Sequence, residues 1–222
     1  MSKKRALFFG FSIFLCGILA FLAWQIPQNL QIRSLFSEFF TIKSKSVKTL
    51  TRFDLKDLPN LELGDLVFRL GDEFDSILIS QISEFKYSHI AIVVNLEPLI
   101  LLHATTTGES GGENAVILSE FDEFLSHART RGIARINFLN SSQKTELVNA
   151  LKNRLGESFI LAKKDELNLY CTTLIQSEIR KIYPAFSPRY THIDAPVFNG
   201  EYLTPKAFWE YDKIEVIYDF GN

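Results

Sequence analysis

Hydrophobic and polar positions fall into a few recognisable periods along the chain, and each predicts an element. An uncharged run from Ala6 to Ile26 follows Lys3-Lys4-Arg5 and closes with Gln25 and Pro27. At about 1.5 Å per residue, such a helix matches a bilayer core of roughly 30 Å. Residues 28–58 place Ile32, Leu35, Phe36, Phe39 and Phe40 at helical spacing, with Lys43, Lys45, Lys48 and Arg52 behind them. This predicts a short amphipathic spacer. From Leu61 to Arg69 a turn leads into a strand, and Ser76 to Phe85 reads as a short helix. Tyr87 to Val94 is a β-branched run of the kind found in buried strands, and Leu99 to Ala104 is a second strand. Ala115–Leu118 and Gly132–Phe138 read as further strands, with a helical turn at Phe121–Ser126 between them. Ser141 or Ser142 is expected to cap a helix from Gln143 to Leu155, which Gly156 ends. From Thr172 the pattern is again helical, with Leu174, Ile175, Ile179 and Ile182 on one face. Four prolines then punctuate an irregular stretch, and Ile214–Tyr218 forms a last strand at a sheet edge.

These elements predict an α+β fold: an antiparallel sheet of five or six strands with the 172–182 helix packed across it. The strands stand too close in sequence for βαβ crossovers. The domain plan is a membrane anchor at 1–27, the spacer at 28–58 and one folded domain at 59–222. The basic cluster before the apolar run predicts a cytoplasmic N-terminus and a translocated domain. In a bacterium that is the inner membrane, with the domain on the periplasmic or extracytoplasmic side. A cleaved signal peptide stays open beside the anchor, since Ala20-Phe21-Leu22-Ala23 offers small residues.

Charge and cysteine content narrow the chemistry. A net charge of -2 over 222 residues, dispersed in pattern, argues against a nucleic-acid partner. Only Cys16, in the apolar run, and Cys171 occur, so the folded part has no internal disulfide and no multi-Cys zinc site. The Thr105–Asn114 segment is glycine-rich and polar, and reads equally as a lid or as a plain connection. It lacks the lysine of a phosphate loop. No cofactor and no metal is called for; His192 and Asp194 lie close together without a second ligand pair. His127 sits among polar and basic residues and reads as a surface group. Phe198, Tyr202, Phe208, Trp209 and Tyr211 read as packing residues, with the wall of an acyl or peptide pocket as the other use. Oligomeric state has no signature here.

Cys171 sits at the start of a helix, where unpaired N–H groups and the dipole favour a thiolate. Its competing reading is a small buried hydrophobe beside Leu169 and Tyr170. His89 begins one strand and His103 ends the next. Two histidines on adjacent strands could hydrogen-bond, one as base and the other fixing its orientation. Four segments carry a resemblance: Leu-Gly-Asp-Leu-Val-Phe at 63–68, Tyr-Ser-His-Ile-Ala-Ile-Val-Val at 87–94, Leu-His-Ala at 102–104 and Leu-Tyr-Cys-Thr-Thr-Leu-Ile at 169–175. Over residues 61–183 they resemble the permuted papain-like hydrolases of the YiiX/YebB type, in the NlpC/P60 superfamily with the lecithin retinol acyltransferases. The resemblance implies Cys171 as nucleophile, His89 as general base and His103 as third polar residue, with Glu120 in reserve. Tyr87, Ser88 and Tyr170 are the candidate substrate contacts. The implied activity is a membrane-anchored cysteine hydrolase that cleaves an amide or ester through a Cys–His thiolate and an acyl-enzyme. A cell-wall peptide and a lipid-linked amide are the substrates to separate. An acyltransferase acting on lipids and a catalytically silent binding module on the same scaffold are the alternatives.

Overall fold

A computed structural model describes residues 58–106, 114–126, 128–195 and 198–220. Contacts along the chain separate Met1–Lys48 from Thr49–Asn222, and every described residue belongs to the second unit. The expected anchor at 1–27, nearly all of the spacer, most of the 105–114 loop and His127 lie outside the described residues. Among the described residues, no helix is long and apolar enough to cross a membrane.

The fold is α+β. Its centre is a six-stranded sheet in the order β4-β3-β2-β1-β5-β8, with every pairing antiparallel. The strands are β1 (Leu66–Gly71), β2 (His89–Leu96), β3 (Leu99–Thr105), β4 (Ala115–Glu120), β5 (Ala128–Ile136) and β8 (Ile214–Phe220). A separate hairpin joins β6 (Thr191–Asp194) to β7 (Asn199–Tyr202). The helices are α1 (Phe74–Ile82), α2 (Phe121–Ser126), α3 (Ser141–Lys152), α4 (Cys171–Ile182) and α5 (Lys206–Trp209).

Side-chain alternation divides the sheet into two faces. Leu66, Phe68, Ile90, Ile92 and Leu102 form one core with Leu174, Ile175 and Ile179 of α4 and Leu147, Val148 and Leu151 of α3. Val67, Ala91, Val93 and Leu101 form a second core with Phe121, Phe124 and Leu125 of α2. The three α4 residues are at most 1% exposed; burying each contributes roughly 1.5–3 kcal/mol before entropy is counted. Arg180 and Lys181 close α4 at its negative end, a favourable placement.

Three local expectations are corrected. The α3 cap is Asn140, whose Oδ1 accepts the Gln143 N–H at 3.0 Å while Gln143 Oε1 accepts the Asn140 N–H at 3.0 Å. This reciprocal box starts the helix ahead of the two serines. The α1 helix begins two residues earlier and ends three residues earlier than expected. The proline-punctuated stretch is more regular than its sequence suggests, since it contains the β6–β7 hairpin and α5.

Candidate active site

The end of the sheet where β1 stops, β2 starts and β3 stops is capped by three pieces: the first turn of α1, the first turn of α4 and the β6–β7 hairpin. Between them is a cavity of about 190 Å³, lined by both Cys171 and His89. Cys171 is the first residue of α4, 7% exposed. Tyr170 before it is extended, which turns the chain sharply into the helix. The turn is pinned by the Tyr170 N–H donating to Thr173 Oγ1 at 2.9 Å, and by the Tyr170 hydroxyl accepting the Leu203 N–H at 2.9 Å. The second bond ties α4 to the segment that follows the hairpin.

The structure brings His89 and His103 together. His89 Nε2 and His103 Nδ1 are 2.9 Å apart, and His103 Nε2 is 3.0 Å from Ser119 Oγ. Both rings sit on the α2 face of the sheet, the face opposite α4, and rest on Phe124 at centroid distances of 5.6 and 5.0 Å. Among the described residues, His89 makes no hydrogen bond other than that to His103, so its Nδ1 is not bonded to the Cys171 thiol in this conformation. Sulfur and imidazole border one cavity at the sheet end. Burial, and secondarily the charge of Arg69, holds His89 well below the ordinary imidazole pKa, so the ring is neutral near pH 7.

One proton between His89 Nε2 and His103 Nδ1 leaves two arrangements. If His89 Nε2–H donates, His103 Nδ1 accepts, His103 Nε2–H donates to Ser119, and His89 Nδ1 is a bare acceptor. If His103 Nδ1–H donates instead, His89 Nδ1 carries a proton and is no base. Only the first arrangement can deprotonate a thiol.

The remaining candidates fall in different places. Ser88 and Tyr170 line the cavity, as do Phe198 and Tyr202. Tyr87 does not: it is fully buried in the α4-side core, where its hydroxyl donates to the Arg131 carbonyl or to Asp219 Oδ1. Irregular backbone before β2 turns it inward. Glu120 is exposed at the end of β4 opposite Ile100, away from His89. Phe208, Trp209 and Tyr211 pack with the α4-side core. Ser119 and Arg69 were not singled out from the sequence. The available signal for Ser119 was a lone hydroxyl two residues along from Ile117, the register partner of His103.

No family model matches the sequence, and no curated protein matches it. Among solved structures, the chain is similar to the crystal structure of metalloprotein YiiX from Escherichia coli O157:H7, DUF1105. The TM-score is 0.58 with 14% sequence identity, covering 70% of this chain and 96% of that one. The fold is YiiX-like. At that identity the likeness carries the YiiX-like architecture alone, and the chemistry has to be argued from the residues present here.

Proposed function

We propose that the domain is a cysteine hydrolase of the permuted papain-like, NlpC/P60-related type, acting on an acyl substrate with an apolar chain. The observation that carries this reading is the shared cavity, bordered by a cysteine at a helix start and by a histidine whose neighbours leave Nδ1 as the acting nitrogen. Cys171 attacks the carbonyl carbon of an amide or ester, His89 takes the thiol proton, and the helix-start N–H groups face the developing oxyanion. His89 then protonates the leaving group, and water releases the acyl-enzyme.

The substrate preference follows from the walls. Leu78, Ile79, Phe159, Leu161, Phe198 and Leu203 dominate them, and Asp75 is the only charged lining residue among those described. An acyl chain fits this lining better than a charged cell-wall peptide, which needs fixed polar partners. A lipid amide or ester at the membrane served by the Ala6–Ile26 run is the substrate class favoured.

A metal does not fit the side chains of the described residues. Among the described residues, no three His, Cys, Asp or Glu side chains converge as ligands, and His89 Nε2 and His103 Nδ1 are engaged with each other. No step is routed through one.

A second reading, a catalytically silent binding module for apolar ligands, is favoured by the placement of the imidazoles on the face opposite α4. Iodoacetamide labelling and hydrolysis of p-nitrophenyl acyl esters separate the two. The hydrolase reading expects fast labelling at Cys171, turnover that rises with acyl chain length, and loss of both in Cys171→Ala. Saturable binding of fatty acyl compounds by a wild type that never turns them over would favour the binding module.

A further inference from the structure

Arg69 stands directly across from His89 in the β1–β2 register, on the same face of the sheet. It is 5% exposed. Its Nη1 donates to the carbonyl of Phe124, and its guanidinium carbon lies 4.2 Å from the centre of the Phe124 ring. That same ring supports both imidazoles. One aromatic side chain of α2 therefore fixes a permanent cation and two titratable rings relative to each other. The relay behind His89 runs through His103 to Ser119. Among the described residues it ends on the Ser119 hydroxyl, where a Ser-His-Asp triad ends on a carboxylate.

We propose that Arg69 is a positioning residue that keeps the His89–His103 pair in its neutral form, so that Cys171 rests as a thiol and gives up its proton only as it attacks. The second half of this proposal rests on the hydrolase reading; the first half does not. A buried cation beside an imidazole disfavours a second positive charge there, because little water screens the repulsion. The low protonation tendency of His89, from burial first and Arg69 second, agrees with this. The other groups around the ring do not reverse it. Arg131 on β5 pairs with Arg69 in register and adds positive charge, its guanidinium lying over Phe220. From β3 comes His103, and from α2 the uncharged Phe124, with Asp122 and Glu123 exposed. The cavity side offers Cys171 and the exposed Asp75. In the reaction, the thiol proton passes to His89 Nδ1 as the S–C bond forms and the carbonyl π pair moves to oxygen. When the carbonyl reforms, the bond to the leaving group breaks, and the same proton leaves with it.

The test is a histidine-selective NMR titration of the full chain in detergent micelles, for wild type, Arg69→Met, Arg69→Gln and Arg69→Lys, with the pH profile of Cys171 alkylation measured in parallel. The expected result is a His89 midpoint at least about one pH unit higher in Arg69→Met and Arg69→Gln. Arg69→Lys keeps the charge and should stay near wild type. Alkylation should gain a fast phase at pH values below the new His89 midpoint, where a thiolate–imidazolium pair becomes populated. If Arg69→Met does not fold, the Gln and Lys variants decide. A His89 midpoint that is the same in wild type and the uncharged variants, or that moves equally with Lys and Gln, overturns the proposal. A shifted midpoint with no selective labelling of Cys171 in any variant upholds the role of Arg69 and overturns the hydrolase reading instead.

Discussion

His89 and His103 meet across neighbouring strands, with Nε2 and Nδ1 2.9 Å apart, and the outer nitrogen of His103 is tied to Ser119 at 3.0 Å. The chain of contacts fixes which ring atom faces the cavity and makes the base depend on a hydroxyl one strand further away. Ser119→Ala removes the acceptor of His103 Nε2–H in the productive arrangement. A hydrogen bond of this kind contributes about 1 kcal/mol, or roughly a fivefold change in rate. The expected outcome is a severalfold fall in the acylation rate of Cys171 with little change in thermal stability. Single-turnover kinetics with a p-nitrophenyl ester would check it, and an unchanged rate would show that Ser119 does not orient the pair.

The buried neutral state of His89 links stability to pH. Its folded pKa lies below the unfolded value of about 6.5, so below that value the unfolded chain binds more protons than the folded one. The resulting stability is complete above the unfolded pKa and is lost as pH falls toward the folded one. Chemical denaturation between pH 7.5 and 5 should show a declining free energy of unfolding, with a smaller slope in His89→Gln. Equal slopes in the two proteins would place the acid sensitivity elsewhere.

Asp65, fully buried at the start of β1, accepts two hydrogen bonds from Arg135, from Nε at 2.9 Å and Nη2 at 2.8 Å, and a third from the Glu62 N–H at 2.8 Å. Arg135 also reaches Glu62, which in turn holds Lys144 of α3. This network joins the turn before β1 to β5 and α3. Asp65→Asn leaves the Arg135 charge without its buried partner, a change that typically costs about 3–5 kcal/mol. Urea unfolding should show a loss of that order, and a loss below 1 kcal/mol would mean that Glu62 alone compensates for Arg135.

Much of this architecture was readable from periodicity. All six sheet strands overlap segments that read as strands from buried, β-branched or alternating runs, and α4 declares itself through Leu174, Ile175 and Ile179. The hairpin was not readable: β6 and β7 have four residues each, too few for a period, and β7 includes Asn199 and Gly200. Tyr87 was misplaced because a strand pattern read from Tyr87 onward assigns faces by alternation, while β2 begins only at His89. Arg69 looked like an ordinary end-of-strand charge; its meaning depends on β2, α2 and β1 meeting, which no local window reveals. The same holds for the faces of the sheet. Sequence places a cysteine at a helix start and a histidine on a strand, but only the register shows that His89 shares its face with Phe124 and not with α4.

Tyr170 is the residue that turns the chain into α4. Its ring lines the cavity, and its hydroxyl accepts the backbone N–H of Leu203 at 2.9 Å, with Tyr170 4% and Leu203 1% exposed. Tyr170→Phe keeps the ring and removes only this acceptor, which leaves a buried N–H without its partner. An unsatisfied buried donor costs about 1–3 kcal/mol. For a protein of this size each kcal/mol lowers Tm by roughly 2–4 °C. The effect should be local as well as global, because Leu203 directly follows β7, whose hairpin supplies the far wall of the cavity. Hydrogen–deuterium exchange should therefore speed up at Leu203 and along β6–β7 in Tyr170→Phe, with exchange in α3 rising only as far as the global loss requires. Uniform acceleration across the domain would mean that the tyrosine hydroxyl stabilises the fold without fastening the hairpin. An unchanged Tm with unchanged exchange would mean that another acceptor takes over the Leu203 N–H.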